Sequence, residues 1–207
     1  EKAAYNNYSS SEPWPQDDCW HYHTNKIISE HVQRFLNAHI SNDKIILNAG
    51  CGKTIYKTAA KVIYMDIIEE YIYNFPNHIV GSVDDIPLAD SSIDCIICVG
   101  SVLNYTDSQK VLSEFSRILK KDGLIILEFE RSNSAEFLCT NHYGKTLFRK
   151  QYIYNNQKHL LWMYNEKFIK DLGYFYDLNC IHKYRFHILS SILYRLGLSE
   201  EKTAKYC

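Results

Sequence analysis

Apolar residues along this chain fall into short runs separated by amphipathic or polar stretches. Four runs stand out, KIILNAGCG (44–52), VIYMDII (62–68), IDCIICVG (93–100) and LIILEFE (124–130), with a weaker fifth, NHIVGS, at 77–82. Runs of this length and apolarity read as strands buried on both faces. Between and before them the period changes. NKIISEHVQRFLNAHI (25–40) sets Ile27, Ile28, Val32, Phe35, Leu36 and Ile40 on one helical face, and Ser41-Asn42-Asp43 breaks it. DSQKVLSEFSRILK (107–120) reads as an amphipathic helix capped by Asp107 or Ser108, with Gly123 beyond its end. Strands alternating with helices predict an α/β fold, a doubly wound and mostly parallel sheet. The tail changes style. LFRKQYIYN (147–155) and KHLLWMY (158–164) flank Asn155-Asn156-Gln157 and predict an antiparallel C-terminal hairpin. A helix near 166–173 and a strand pair over 174–190 are expected to complete a seven-strand-like sheet. Residues 1–24 carry no helical or strand period.

At 207 residues the chain suits a single domain with a full core, and 46% hydrophobic with 23% charged residues is an ordinary globular balance. No apolar run reaches the roughly 20 residues of a membrane helix, and no basic-then-apolar start reads as a secretory signal. The first residue is Glu1, so what preceded it is left open. The net charge of -1 argues against general affinity for nucleic acid, yet residues 141–207 hold 11 Lys/Arg against 5 Asp/Glu. Seven scattered cysteines are not a disulfide framework; they point to a reducing compartment, and a cytoplasmic location is expected. Cys95 and Cys98 form a CxxC pair, but residues three apart on a strand face opposite ways and cannot share a metal. No metal site is expected.

The chemistry concentrates in LNAGCGKT (47–54). Gly50 and Gly52 allow a sharp turn and a close approach to a ligand, with backbone N–H groups facing it. A phosphate-cradling loop of the Walker type needs a glycine where Leu47 stands. A dinucleotide fingerprint, the mark of a nicotinamide-dependent oxidoreductase, needs one where Ile55 stands. Both nucleotide readings lose ground.

LNAGCG resembles instead motif I of class I S-adenosylmethionine (SAM) dependent methyltransferases. Three later segments, in the family's order, extend the resemblance over residues 45–130: Asp66 at the end of a second strand, GSVDDIPLADSSIDCIICVGSVLNY (81–105), then EFSRILKKDGLIILEF (114–129). It is similar to the small, type 11-like methyltransferase domains, and implies a Rossmann-like fold with SAM as cofactor. The resemblance places Asn48, Ala49, Gly50 and Gly52 at the methionine end, Asp66 and Ile67 at the ribose, and Ser82, Val83 and Asp84 at the adenine. Val99, Gly100 and Ser101 would lie under the sulfonium. Three departures stand out. Ser82 occupies the usual place of an aspartate, Lys53 and Thr54 replace small residues, and Gly52 to Val62 is too short for a first crossover helix. Lys53 is a candidate partner for the cofactor's carboxylate.

Candidates for acid–base work are Tyr105, Glu130 and His21, with Glu128 sharing the sheet face of Glu130. Trp20, His21 and His23 belong to an aromatic stretch, within 1–24, that could fold over the cofactor as a lid. The aromatic, basic region 142–190, including Arg149, Lys150, Tyr152, His159 and Trp162, lies where substrate specificity is expected. The expected reaction is methyl transfer by positioned in-line displacement to an O or N atom of a small molecule, anionic or aromatic. A catalytically silent SAM-binding protein and a methyltransferase acting on RNA or protein are the alternatives; a membrane partner is not expected, and nucleic acid is disfavoured.

Overall fold

The computed structural model describes residues 19–154 and 157–204. Residues 1–18, 155–156 and 205–207 lie outside the described residues, so of the expected lid only 19–24 is described. Helix α1 (Cys19–His39) leads into β1 (Ile45–Ala49); β2 (Lys61–Asp66), a short α2 (Glu69–Ile72), β3 (His78–Val80) and β4 (Ile93–Cys98) come next. Then come α3 (Val102–Tyr105), α4 (Ser108–Ile118) and β5 (Leu119–Leu127). All pairings in this sheet are parallel and its order is β3-β2-β1-β4-β5.

Alternation along the strands divides the core between two faces. Leu47, Met65, Ile96 and Cys98 face α4, where Val111, Leu112, Phe115 and Ile118 meet them. Ile46, Cys95 and Ile97 face α1 through Ile28, Val32 and Leu36. Cys95 and Cys98 are therefore buried thiols on opposite faces. Asp107 caps α4, its carboxylate accepting from the Gln109 and Lys110 N–H groups. No helix links β1 to β2. Residues 52–60 run as a loop that α1 holds through Gln33: its side-chain amide donates to the Lys57 carbonyl at 2.7 Å and accepts from the Lys57 N–H at 2.9 Å. Tyr56 and Ala60 of this loop are buried against α1.

The hairpin forms as β6 (Leu147–Tyr154) and β7 (Gln157–Tyr164), antiparallel in a two-stranded sheet of its own. Asn104, fully buried on α3, ties it to the core. The Asn104 side-chain amide donates to the carbonyls of Glu130 (3.0 Å) and Trp162 (2.6 Å) and accepts from the Glu130 N–H (2.8 Å).

The strand pair expected over 174–190 is absent, and the main sheet has five strands. After α5 (Glu166–Phe175) the chain runs without strand pairing to α6 (Ile188–Arg195) and α7 (Glu200–Ala204). Side chains hold this stretch in place. Lys183 and Arg185 bind Glu166 at 2.6 and 2.8 Å, joined there by Arg131 at 3.1 Å. Tyr184 lies over His31, and Phe186 packs on the α1 face. His187 stacks on Trp20 and shares a 2.7 Å hydrogen bond with the Thr24 hydroxyl. Beyond it, ILSSILYR carries a helical period, which ends any strand.

These ties bear on stability in two measurable ways. Asn104→Ala strands a buried N–H and two carbonyls, and should lower unfolding free energy by about 2–4 kcal/mol in urea titrations. Partial burial raises the Glu166 carboxyl, but Lys183 and Arg185 outweigh it and hold it down at about 2. The stability it contributes is present above its ordinary value of about 4.3 and is lost as pH falls toward 2. Urea midpoints between pH 5 and 2 should therefore fall less steeply in Glu166→Gln than in the parent chain.

Candidate active site

Strands β1 and β4 are neighbours from which the chain winds in opposite directions, so their carboxyl ends part and leave a crevice. A cleft of about 2340 Å³ opens there and extends past β5 to the tail segment. Asn48, Gly50, Gly52, Asp66, Ile67, Ser82, Val83, Val99, Gly100 and Ser101 all line it.

The first wall is the loop after β1. Gly50 and Gly52 have φ of 67° and 53°, the left-handed region open to glycine. A Cβ on Gly50 would sit 2.5 Å from Val102 Cγ2, so α3 packs directly on the turn. The loop's N–H groups do not face the cleft as expected. Those of Gly50 and Cys51 donate to the Met65 carbonyl (2.8 and 3.0 Å), and that of Gly52 donates to Asp66 Oδ2 at 2.7 Å. The loop thus offers close approach rather than donors. Asp66 closes the turn from the other side, its Oδ1 accepting from the Ile68 N–H at 2.9 Å. Burial pushes the Asp66 carboxyl above its usual range, while the Ile68, Gly52 and Ile67 N–H groups pull it down. Asn48 points back into the loop and donates to the Thr54 carbonyl at 3.2 Å, and Ala49 is buried in the core.

The second wall is the turn after β4. Gly100 and Ser101 have φ of 81° and 59°, and their N–H groups donate to Glu128 Oε2 at 2.9 and 2.8 Å. Burial raises the Glu128 carboxyl against these two donors. Glu128, a candidate base on sequence grounds, is therefore committed to holding the turn.

The segment after β3 forms the third wall. The Ser82 hydroxyl donates to Asp84 Oδ1 at 2.7 Å. Ser82 and Val83 face the cleft, whereas Asp84 lines a separate shallow depression beside α4. Glu114 and Arg117 of α4 latch residues 86–88, the continuation of this wall. Glu114 accepts from the Ile86 N–H at 2.8 Å, and Arg117 donates to the Leu88 and Ile86 carbonyls at 2.7 and 2.8 Å.

Tyr105, Glu130 and His21 also line the cleft, as does Trp20. Tyr105 shares a 3.0 Å hydrogen bond with His159 Nδ1 of β7. His23 lies outside the cleft lining and packs edge-on against Tyr22. Lys53 is exposed, its ammonium 5.1 Å from the centre of the Tyr71 ring. Sequence reasoning did not single out Asn104 or Glu136, whose partners lie in other elements, or Ser134, whose buried hydroxyl has no hydrogen-bond partner among the described residues. Among the described residues no group of three His, Cys, Asp or Glu side chains could hold a metal, and no helix is long and apolar enough to cross a membrane.

Residues 47–127, the stretch that builds these walls, match the model of a methyltransferase domain family. Over this stretch the chain is similar to a methyltransferase domain, and its fold is that of class I, SAM-dependent methyltransferases. The ubiquinone/menaquinone biosynthesis C-methyltransferase UbiE of Campylobacter jejuni is 36% identical over 78 residues, 35% of this chain and 33% of that protein. The chain thus matches about a third of the length of that relative. An uncharacterised protein of Methanocaldococcus jannaschii is 29% identical over 106 residues, 48% of this chain and 45% of its own length. Among solved structures, the PH0226 protein of Pyrococcus horikoshii superposes with a TM-score of 0.58 at 15% identity, covering 82% of this chain and 88% of that one. A SAM-dependent methyltransferase of Methanosarcina mazei gives 0.51 at 18% identity, covering 67% and 81%.

Gly50→Ala brings both the Val102 clash and a strained φ, the latter alone worth about 1–3 kcal/mol. It should weaken binding of S-adenosylhomocysteine in calorimetry. Adding Val102→Ala should restore part of the loss, because it relieves the clash and leaves the φ.

Proposed function

We propose that this chain transfers a methyl group from SAM to an O or N atom of a small-molecule acceptor. The observation that carries the reading is the pair of walls at the β1/β4 crevice, each pinned by a carboxylate, within a methyltransferase domain. The donor set suits the cofactor. Asp66 accepts the Gly52 N–H on Oδ2 and the Ile68 N–H on Oδ1, with the Ile67 N–H a weaker influence, and its remaining acceptor capacity suits the ribose hydroxyls. The Gly50–Gly52 turn, with Asn48 and Ala49 behind it, would take the methionine end. Ile67 would flank the ribose, and Val99, Gly100 and Ser101 would lie beneath the sulfonium.

The adenine wall has a chain-specific solution. Ser82 gives its only hydroxyl proton to Asp84, so toward the cleft its oxygen is an acceptor, the complement of an adenine amine. In this reading Asp84 acts through Ser82 rather than on the cofactor.

Bound SAM supplies a methyl on a sulfonium, a leaving group that needs no protonation. The protein's tasks are then to align the acceptor and, where the acceptor nucleophile carries a proton, to remove it. Glu130 and Tyr105 are the groups on the acceptor side for that second task, with His21 on the helix opposite.

Calorimetric titration with S-adenosylhomocysteine should give micromolar binding. Asp66→Ala should weaken it roughly 30- to 150-fold, the equivalent of about 2–3 kcal/mol. Labelled SAM offered with phenol, amine and carbon-nucleophile acceptors should place label on O or N. Binding without transfer to any acceptor would mark a silent cofactor-binding protein, and no binding by folded protein would sink the reading.

A further inference from the structure

The acceptor end of the cleft has an unusual electrostatic balance. Glu130 lies two residues beyond Glu128, and Asn104 fixes its backbone through both the N–H and the carbonyl. Its partly buried carboxylate lines the cleft and accepts no hydrogen bond from any described residue. The charges around it are already engaged. Glu128 holds the Gly100 and Ser101 N–H groups. Glu136 pairs with Lys150 and accepts the Tyr152 hydroxyl at 3.1 Å. Lys150 also lies over the Tyr152 ring, at 4.3 Å from its centre, and Arg131 is bound to Glu166. A second observation points the same way. Ser134 Oγ, on the lining of this cleft, is buried and has no hydrogen-bond partner among the described residues. A recessed carboxylate and an orphaned hydroxyl oxygen can both accept from a donor.

We infer, on the reading of this cleft as a SAM site, that the acceptor is an amine. It binds as its ammonium to Glu130 and Ser134 and is methylated on nitrogen. A carboxylate or phosphate acceptor would face Glu128, Glu130 and Glu136 with both neighbouring cations committed. An alcohol brings one donor and no charge to offset the carboxylate. An ammonium brings up to three donors and a positive charge. The rings of Tyr105 and Tyr152 on the same lining suit a cation as well. Of the region's basic residues, which in the sequence suggested an anionic acceptor, Lys150 is spent on Glu136, Lys183 and Arg185 on Glu166, and Arg149 lies over the Trp162 ring.

Glu130 then has a defined task. Burial pushes its carboxyl up to about 8, with Glu128 and Glu136 adding and Arg131 and Lys150 opposing. That value suits a base for an ammonium proton. The proton passes from nitrogen to the Glu130 carboxylate and frees the nitrogen lone pair. Nitrogen bonds to the methyl carbon as the carbon–sulfur bond breaks, its electron pair staying on sulfur. The proton then leaves Glu130 for solvent, so each turnover releases one proton and a methylated ammonium.

The test is calorimetry on the protein saturated with S-adenosylhomocysteine, using the matched probes benzylamine, benzyl alcohol and benzoate. Benzylamine should bind at least roughly tenfold more tightly than either analogue. Its affinity should rise with pH through about 8 as Glu130 ionises, and fall once the amine itself loses its charge. Tyr105, Tyr152 and His159 also face this end, so Glu130→Gln, which should flatten the rise and abolish the preference, assigns the titration. Ser134→Ala, a milder change, should weaken benzylamine alone and leave S-adenosylhomocysteine binding as it was. Equal or tighter binding of benzoate or benzyl alcohol overturns the proposal, as does a preference that survives Glu130→Gln or absence of amine binding to the loaded protein. Failure to bind S-adenosylhomocysteine at all would instead remove the cofactor reading beneath it.

Discussion

The site depends on one repeated interaction: a carboxylate at the end of an outer strand takes the N–H groups of the loop leaving the strand inside it. Asp66 ends β2 and holds the turn after β1; Glu128 comes directly after β5 and holds the turn after β4. Register makes both reaches possible. Ala49 pairs with Met65 and Cys98 with Leu127, so each carboxylate lies one residue beyond the last pair, level with the loop it holds. Inner loops at a switch point leave the sheet with N–H groups that lose their ladder partners, and a buried N–H needs another acceptor. The two carboxylates supply it and set the walls of the cleft.

Part of this was legible in the chain. Buried parallel strands read as unbroken apolar runs, and all five runs contain a strand, although the last strand begins at Leu119 and ends at Leu127, before Glu128 and Glu130. Cys95 and Cys98 fall on opposite faces, as period-two geometry demands, and Asp107 caps its helix. Other features were not legible because their causes are tertiary. Nothing local separates Glu128 from Glu130; the difference is that Gly100 and Ser101, far upstream, meet only the first. Ser82 and Asp84 are both polar residues after β3, and only the fold turns one into the cleft and the other beside α4. Residues 174–190 contain enough apolar positions to suggest strands, but a strand requires a partner. There Glu166, His31 and Trp20 hold the chain by its side chains instead.

The tail therefore attaches to the domain by side-chain contacts, polar, aromatic and, through Ile169, Leu172 and Leu178, aliphatic, not by extending the sheet. Asn104 is central to this for the hairpin, since its single amide binds the segment after β5 and β7 at once, beside the Tyr164 hydroxyl on the Thr106 carbonyl. The same amide fixes the backbone of Glu130. Hairpin docking and the backbone placement of Glu130 are thus one structural event, which couples the tail to geometry at the cleft.

The shortened β1–β2 connection has an electrostatic consequence. A helix starting at a glycine loop presents unsatisfied N–H groups and the positive end of a dipole to an anion. Here no helix starts there, and the Gly50, Cys51 and Gly52 N–H groups are already bound to Met65 and Asp66. Gln33 and the α1 face support the loop mechanically, but neither restores that field. On the reading proposed above, what would meet the cofactor's carboxylate is side-chain charge, and Lys53, exposed on the loop and set over Tyr71, is the candidate. Such a charge on a flexible stem is more open to screening by salt than buried backbone donors. On the proposed reading, cofactor affinity in this chain should therefore be more sensitive to ionic strength than a helix-capped loop would make it.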